Sequence, residues 1–317
     1  MRAILSYYPS CAAKNYHLKS VPFWLTLAAL SFTLMIASAG PNSTKNDPAI
    51  PALPPGARIT VLDNGLTIIV LEDHSAPVVS AQAWANTGSI HEGRWLGAGM
   101  SHVLEHMLFK GTTTRPGGRI DQEVQEAGGY MNAYTSFDRT VYHIDAPNTG
   151  AHTSIDILCD IMQHATLPAD EMEKEKQVIL REMDMNQDDP GRRSGRRLFE
   201  TAYKRSPYRL TVIGYPDIYN ELKREDIFNY YRERYVPNNL FFIVVGDVKN
   251  DEVVEQIKQA FANAKAKSLP PMVLPPDSQA RNVSLPRDHA ARQSKVARSD
   301  PSAPLPENSS RTARVSA

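Results

Sequence analysis

The stretch at residues 100–111, MSHVLEHMLFKG, places His102, Glu105 and His106 within a span of five positions. On a helix, positions four apart lie on one face a turn apart, so the two imidazoles point the same way and can share one cation. Glu105 falls on the edge of that face. Val103, Leu104, Met107 and Leu108 occupy the opposite side, and Phe109 takes the remaining place in the narrow polar arc. Two histidines, a glutamate and a phenylalanine suit a cleft lining better than a solvated face, which would carry Lys, Gln or Ser. The chemistry fits as well: two neutral imidazoles bind a zinc ion while an unbound carboxylate takes a proton from water. The alternative at this point is a pair of unrelated histidines on an ordinary amphipathic helix.

A catalytic zinc needs a third protein ligand. Residues 170–190, DEMEKEKQVILREMDMNQDDP, supply candidates in Glu175 and Glu182, seven apart and so two helical turns along one face. Met172, Val178, Ile179 and Met183 share that face, whereas Lys174, Lys176, Gln177, Arg181 and Asp184 point elsewhere. Two carboxylates directed at a core need a cation, a metal or a proton. The alternative is a pair of helix-rim glutamates that reach solvent or a basic partner.

Around these two segments the 317-residue chain divides into four parts. Residues 1–39 read as a signal peptide. Basic residues lead into the charge-free run Val21–Ala39, which ends in the small-x-small pattern Ala37-Ser38-Ala39, so export to the periplasm or outside the cell is expected. An uncleaved anchor over residues 21–39 is the alternative, since the run is long enough to span a bilayer. Residues 40–56 read as a linker. Residues 57–266 form the folded α+β part. It begins with a hairpin turning at Asp63-Asn64-Gly65 and a strand over 78–89, and the His-Glu-His helix follows from Gly97 or Gly99. A strand over RTVYHIDA comes next, then helices over 150–165, 168–189 and 191–204. A helix over DIYNELKREDIFNYYRERY, a strand over NNLFFIVVGDV and a helix over NDEVVEQIKQAFANAKA complete it. From residue 267 the Pro-, Ser- and Arg-rich sequence has no apolar periodicity and reads as a disordered tail. Formal net charge is zero, which argues against a nucleic-acid partner. Of the two cysteines, Cys11 lies in the leader, so Cys159 has no internal disulfide partner and reads as a small buried hydrophobe.

Several segments together resemble the pitrilysin/insulinase (M16) family of inverted zinc metallopeptidases, to which the mitochondrial processing peptidases belong. They are NGLTIIVLEDHSAPVVS, GMSHVLEHMLFKGT, GGYMNAYTSFDRTVYH, VILRE and YYRERYVPNNLFFIVVGDV. The resemblance implies a single half-domain whose mostly antiparallel sheet is packed on one side by helices. It implies one zinc per chain held by His102, His106 and Glu182, with Glu105 as general base and Glu175 orienting the ligands. It also implies that the strand entered at Asn132 and Ala133 is an edge to which an extended peptide adds; a plain strand entry after Gly128-Gly129 is the alternative. Family enzymes close a chamber from two homologous halves, the second contributing an Arg and a Tyr for the substrate. This sequence carries a match to the first half only. The expected activity is therefore zinc-dependent cleavage of extended peptides, with a homologous partner subunit supplying the second half-chamber. The competing readings are a truncated, inactive zinc- or peptide-binding protein and a scaffold without catalysis, the last disfavoured by the complete ligand set.

Overall fold

The computed structural model of the protein describes residues 53–272, 274, 275 and 277. The leader, the alternative anchor over 21–39, the linker through residue 52 and the tail after residue 277 lie outside the described residues. From Pro54 onward the described residues belong to one compact unit.

Strands β1 (Ala57–Val61) and β2 (Thr67–Glu72) form the expected hairpin, with Asn64 Oδ1 accepting the Leu66 N–H in the turn at 3.2 Å. Strands β3 (Val78–Ala85), β4 (Tyr130–Thr135), β5 (Thr140–Pro147) and β6 (Leu240–Gly246) complete a sheet in the order β1-β2-β6-β3-β5-β4. Only the β2–β6 pairing is parallel; the other four are antiparallel, as expected.

Period-two alternation decides which face is covered. Along β3, Val79, Ala81, Ala83 and Ala85 are buried, while Ser80, Gln82 and Trp84 on the other face are only partly so. The three alanines let a helix approach the middle of the sheet closely. That helix is α3 (Ala151–His164), whose Ile155, Leu158 and Met162 join the same core as Tyr142, Ile144, Phe242 and Val244 of the sheet. The helix α1 (Met100–Leu108) contributes Leu104, Met107 and Leu108 to it. The helices thus lie on one side, as the resemblance implied.

Two long helices follow α3 almost without a break. Helix α4 (Ala169–Asp188) has acidic residues in its first turn, and α5 (Pro190–Ala202) starts with Pro190 in its first turn and Asp189 as its N-cap. The structure departs from the sequence expectation in three places. A helix α2 (Arg119–Glu126), not anticipated, buries Ile120 and Val124. The helix expected over 217–235 is broken into α6 (Pro216–Tyr219) and α7 (Arg224–Arg234), because Asp226 accepts the Lys223 N–H at 3.2 Å and restarts the helix. After the last described helix, α8 (Asn250–Ala260), the backbone of Lys267 exchanges two hydrogen bonds with the Asn238 side chain. Asp277 accepts from the N–H groups of Lys204, Arg205 and Ser206. The start of the expected tail therefore stays against the domain at two points. No helix among the described residues is long and apolar enough to cross a membrane.

Candidate metal centre

Helix α1 is fixed at both ends. Its N-cap, Gly99, has φ 73°, and a Cβ there would sit 2.1 Å from the Ile213 carbonyl oxygen. A Cβ on Gly214 would sit 2.5 Å from the Ala98 carbonyl oxygen, and the Tyr215 N–H donates to Gly97 O at 2.8 Å. Glycine at both positions lets the 211–215 segment cross directly over the start of the helix. The first turn has no acidic residue of its own. Buried Glu92 serves instead, accepting the N–H of Ser101 at 2.9 Å and that of Gly99 at 3.2 Å. Burial pushes its pKa up to about 8 against the opposing pull of those backbone N–H groups. Past the C-terminus of α1, Arg115 pins the following loop to α3 and α2 through Asp160 at 2.7 Å, Glu123 at 2.8 Å and Asp156.

His102 and His106 stack edge-on with ring centroids 4.7 Å apart. Glu182 on α4 faces both, with Oε2 3.7 Å from His102 Nε2 and 3.8 Å from His106 Nε2. One potential ligand atom from each of the three residues can be chosen so that all lie within 4.8 Å of one another. A tetrahedral zinc with bonds of about 2.1 Å spaces its donors about 3.4 Å apart, so two imidazoles and a carboxylate at these separations fit that ion. Burial, with His106 beside it, pushes the His102 pKa down to about 3, so the ring is neutral and has a lone pair to give. His102 Nδ1 is buried without a hydrogen-bond partner among the described residues.

Glu175 lies beneath this triangle. Its Oε2 is 2.9 Å from His106 Nδ1 and its Oε1 is 2.6 Å from Lys110 Nζ. Nδ1 donating to Glu175 leaves the His106 Nε2 lone pair directed at Glu182 and the candidate metal position. Burial opposes the Glu175 charge, but the bonds from Lys110 and His106 prevail and hold its pKa below the ordinary carboxylate value. Glu105 stands apart from the three donors and accepts a hydrogen bond from the Thr135 hydroxyl. Burial, reinforced by the nearby Glu182 charge, raises the Glu105 pKa, and the Thr135 bond works against that rise.

The expected substrate strand is β4, which is the last strand of the sheet and so presents an open edge. Asn132 is exposed on it, and its Oδ1 accepts the Ala133 N–H at 2.8 Å. The structure thus brings His102, His106, Glu182, Glu175 and Glu105 together and puts Asn132 and Ala133 on a free edge. Glu92, Lys110 and Thr135 escaped the sequence reading. Lys110 sits in the quoted stretch four residues after His106, and that i, i+4 step was the available signal.

A cleft of about 760 Å³ opens from this site. His102, Glu182 and Thr135 line one part of it, Phe137 and Phe199 stack at 5.2 Å in its wall, and α5 forms the far side.

Known proteins and family models match this chain over most of its described residues. A family model described as Insulinase (Peptidase family M16) matches residues 67–215, and one described as the Peptidase M16 inactive domain matches residues 221–306. The chain is 32% identical over 207 residues to an uncharacterized zinc protease of Rickettsia felis, covering 65% of this chain and 50% of the relative. It is 32% identical over 220 residues to mitochondrial-processing peptidase subunit beta of Dictyostelium discoideum, covering 69% and 46% respectively. A protease from Helicobacter pylori superposes with a TM-score of 0.65 at 30% identity, over 69% of this chain and 53% of that one. The chain spans about half the length of these relatives.

Proposed function

The chain belongs to the insulinase family, peptidase family M16, and on that footing we propose that it is a zinc-dependent endopeptidase acting on extended peptides. The observation that carries this reading is the convergence of His102, His106 and Glu182 from two helices, with Glu105 beside them and outside the donor set.

One zinc per chain would be held by His102, His106 and Glu182. Bound there, it supplies Lewis-acid polarisation of a carbonyl oxygen and a lowered pKa for water. Glu105 is the general base: its raised pKa brings it nearer to neutrality, where a group that accepts a proton and returns it to the leaving nitrogen is most effective. Thr135 aims the Glu105 carboxylate, and Glu175 with Lys110 fixes the tautomer and tilt of His106. An extended peptide adds to β4 by main-chain hydrogen bonds, with Asn132 and Ala133 making the first contacts.

A homologous partner subunit supplies the second half-chamber and the groups that stabilise charge on the scissile carbonyl. This is supported by the relative named as a subunit. The leader with its Ala37-Ser38-Ala39 end supports action in the periplasm or outside the cell, with anchoring by residues 21–39 as the alternative.

The test is metal analysis and peptide cleavage on the full chain, alone and with a homologous subunit. About one zinc per chain is expected, lost when His102→Ala and Glu182→Gln are combined. Glu105→Gln keeps the zinc and abolishes cleavage. A wild-type chain that takes up no zinc refutes the enzyme assignment.

A further inference from the structure

We propose that the cleft beside the metal site is a subsite for an acidic residue of the substrate, so that the protein selects peptides carrying Asp or Glu next to the cleaved bond. This rests on the peptidase assignment above and adds the chemical class of the substrate.

The cleft lining is unbalanced in charge. It contains Arg192, Arg193 and Arg196 of α5 and Arg209 beyond it, against two carboxylates, Glu182 and Asp189. Glu182 belongs to the metal donor set, and Asp189 is occupied as the N-cap of α5, accepting the Arg192 N–H at 2.8 Å. Neither makes an ion pair with an arginine among the described residues. Arg192 donates to the amide oxygen of Asn186 at 2.7 Å, a neutral partner. Arg196 shares Glu200 with Arg197, at 3.6 and 3.4 Å. Arg193 and Arg209 have no carboxylate partner among the described residues.

The helix bearing these residues is poorly suited to its own stability. Arg192 with Arg196, and Arg193 with Arg197, are like charges four apart on a helix, an arrangement that destabilises it. Gly195 weakens the helix interior further, and a Cβ at that position would meet nothing within 4 Å. The fold therefore does not require glycine there. Gly195 lines the cleft, and the missing side chain leaves room for an approaching chain. A feature that costs local stability and gains nothing in packing is explained when a ligand completes it.

The geometry also gives a path. Thr135 ends β4 and lines the cleft, and Phe137 follows it into the wall. A peptide added along β4 runs past Glu105 and enters the cleft. There the stacked Phe137 and Phe199 rings offer an apolar side to the stem of a Glu or Asp, and the guanidinium forks offer paired donors to its carboxylate.

The test uses the full chain carrying Glu105→Gln and a set of fluorescent unstructured peptides in which each position in turn is Glu, Gln or Lys. Binding is read by anisotropy, and cleavage by the unmodified chain, alone and with a homologous subunit, is read in parallel. At one position or two neighbouring ones, Glu is expected to bind about tenfold more tightly than Lys, a preference that shrinks as salt is raised. The exposed charge swap Arg193→Glu with Arg209→Glu is expected to reverse the order while leaving the melting temperature and zinc content unchanged. Equal binding of the Glu and Lys peptides at every position, an order that survives the swap, or no binding of any peptide overturns the proposal. A chain that prefers Glu yet cuts nothing, even with the homologous subunit added, refutes the peptidase assignment and leaves the acidic subsite standing. A chain that cuts every peptide without regard to charge does the reverse.

Discussion

Thr135, the last residue of the open edge strand, donates its hydroxyl to Glu105 on α1. The strand that would receive a peptide and the carboxylate that would receive a proton are thereby joined by one hydrogen bond. Replacing Thr135 with the nearly isosteric Val removes the donor and little else. A hydrogen bond to a charged group is worth about 1.5–3 kcal/mol, so kcat/KM should fall by roughly 10- to 100-fold with zinc content unchanged. The bond lowers the Glu105 pKa, so its loss lets that pKa rise. The acidic limb of the pH–rate profile should then move to higher pH; a limb that stays in place would show that Thr135 does not tune the base.

Lys110, Glu175 and His106 form a relay with contacts of 2.6 and 2.9 Å. Lys110→Met keeps the length of the side chain and removes its charge. Glu175 then loses the larger of the influences that hold its pKa down, and its grip on His106 weakens. Zinc affinity measured against a competing chelator should drop by about 10- to 100-fold, as is usual when support behind a ligand is removed. Unchanged affinity would mean that Glu175 orients His106 without help.

Glu92 makes stability depend on pH in a defined direction. Its folded pKa is raised from 4.5 to about 8, so the folded state holds a proton that the unfolded chain releases. Its contribution is fully present below pH 4.5 and is lost progressively as pH rises to about 8. Glu92→Gln cannot titrate. The stability of the wild type relative to this variant should decline across that window, by on the order of a few kcal/mol, in urea titrations at several pH values. A difference that is flat with pH would contradict the burial of an ionisable carboxyl at the head of the metal helix.

Strand addition at β4 predicts sensitivity to the backbone of the substrate. The Ala133 N–H bonds only to its neighbour Asn132 in the described hydrogen bonds, so it can turn to a peptide. N-methylating one backbone nitrogen of a good substrate at the paired register should raise KM by about tenfold, whereas the same change one residue away should matter little. Asn132→Ala should lower KM or leave it unchanged, because it removes an internal competitor for that N–H. A KM raised about tenfold by Asn132→Ala would instead assign the amide a direct substrate contact.

The parts of this protein legible in its sequence are those that helical and strand periodicity encode locally. His102 with His106, and Glu175 with Glu182, are same-face pairs on single helices, and the hairpin turn at Asn64-Gly65 announces itself in two residues. Glu92 and Thr135 act through contacts between segments far apart in the chain, which no local pattern contains. Helix α2 was hidden because only Ile120 and Val124 mark its apolar side between two glycine pairs. The break between α6 and α7 depends on one carboxylate capping one amide. Composition reads the region from residue 267 as unable to build a core, and it could not register a single Asp277 seated on three backbone N–H groups.

The last strand among the described residues, β6, is a central strand of the sheet, lying between β2 and β3. During synthesis the hairpin of β1 and β2 and the three-stranded β3-β5-β4 unit emerge first and have no direct pairing with each other. Residues 240–246 join them, long after His102, His106 and Glu182 have left the ribosome. A nascent chain stalled before residue 240 therefore carries every candidate donor atom without the joined sheet that braces them, and a metal held by them would be acquired late in the birth of the molecule.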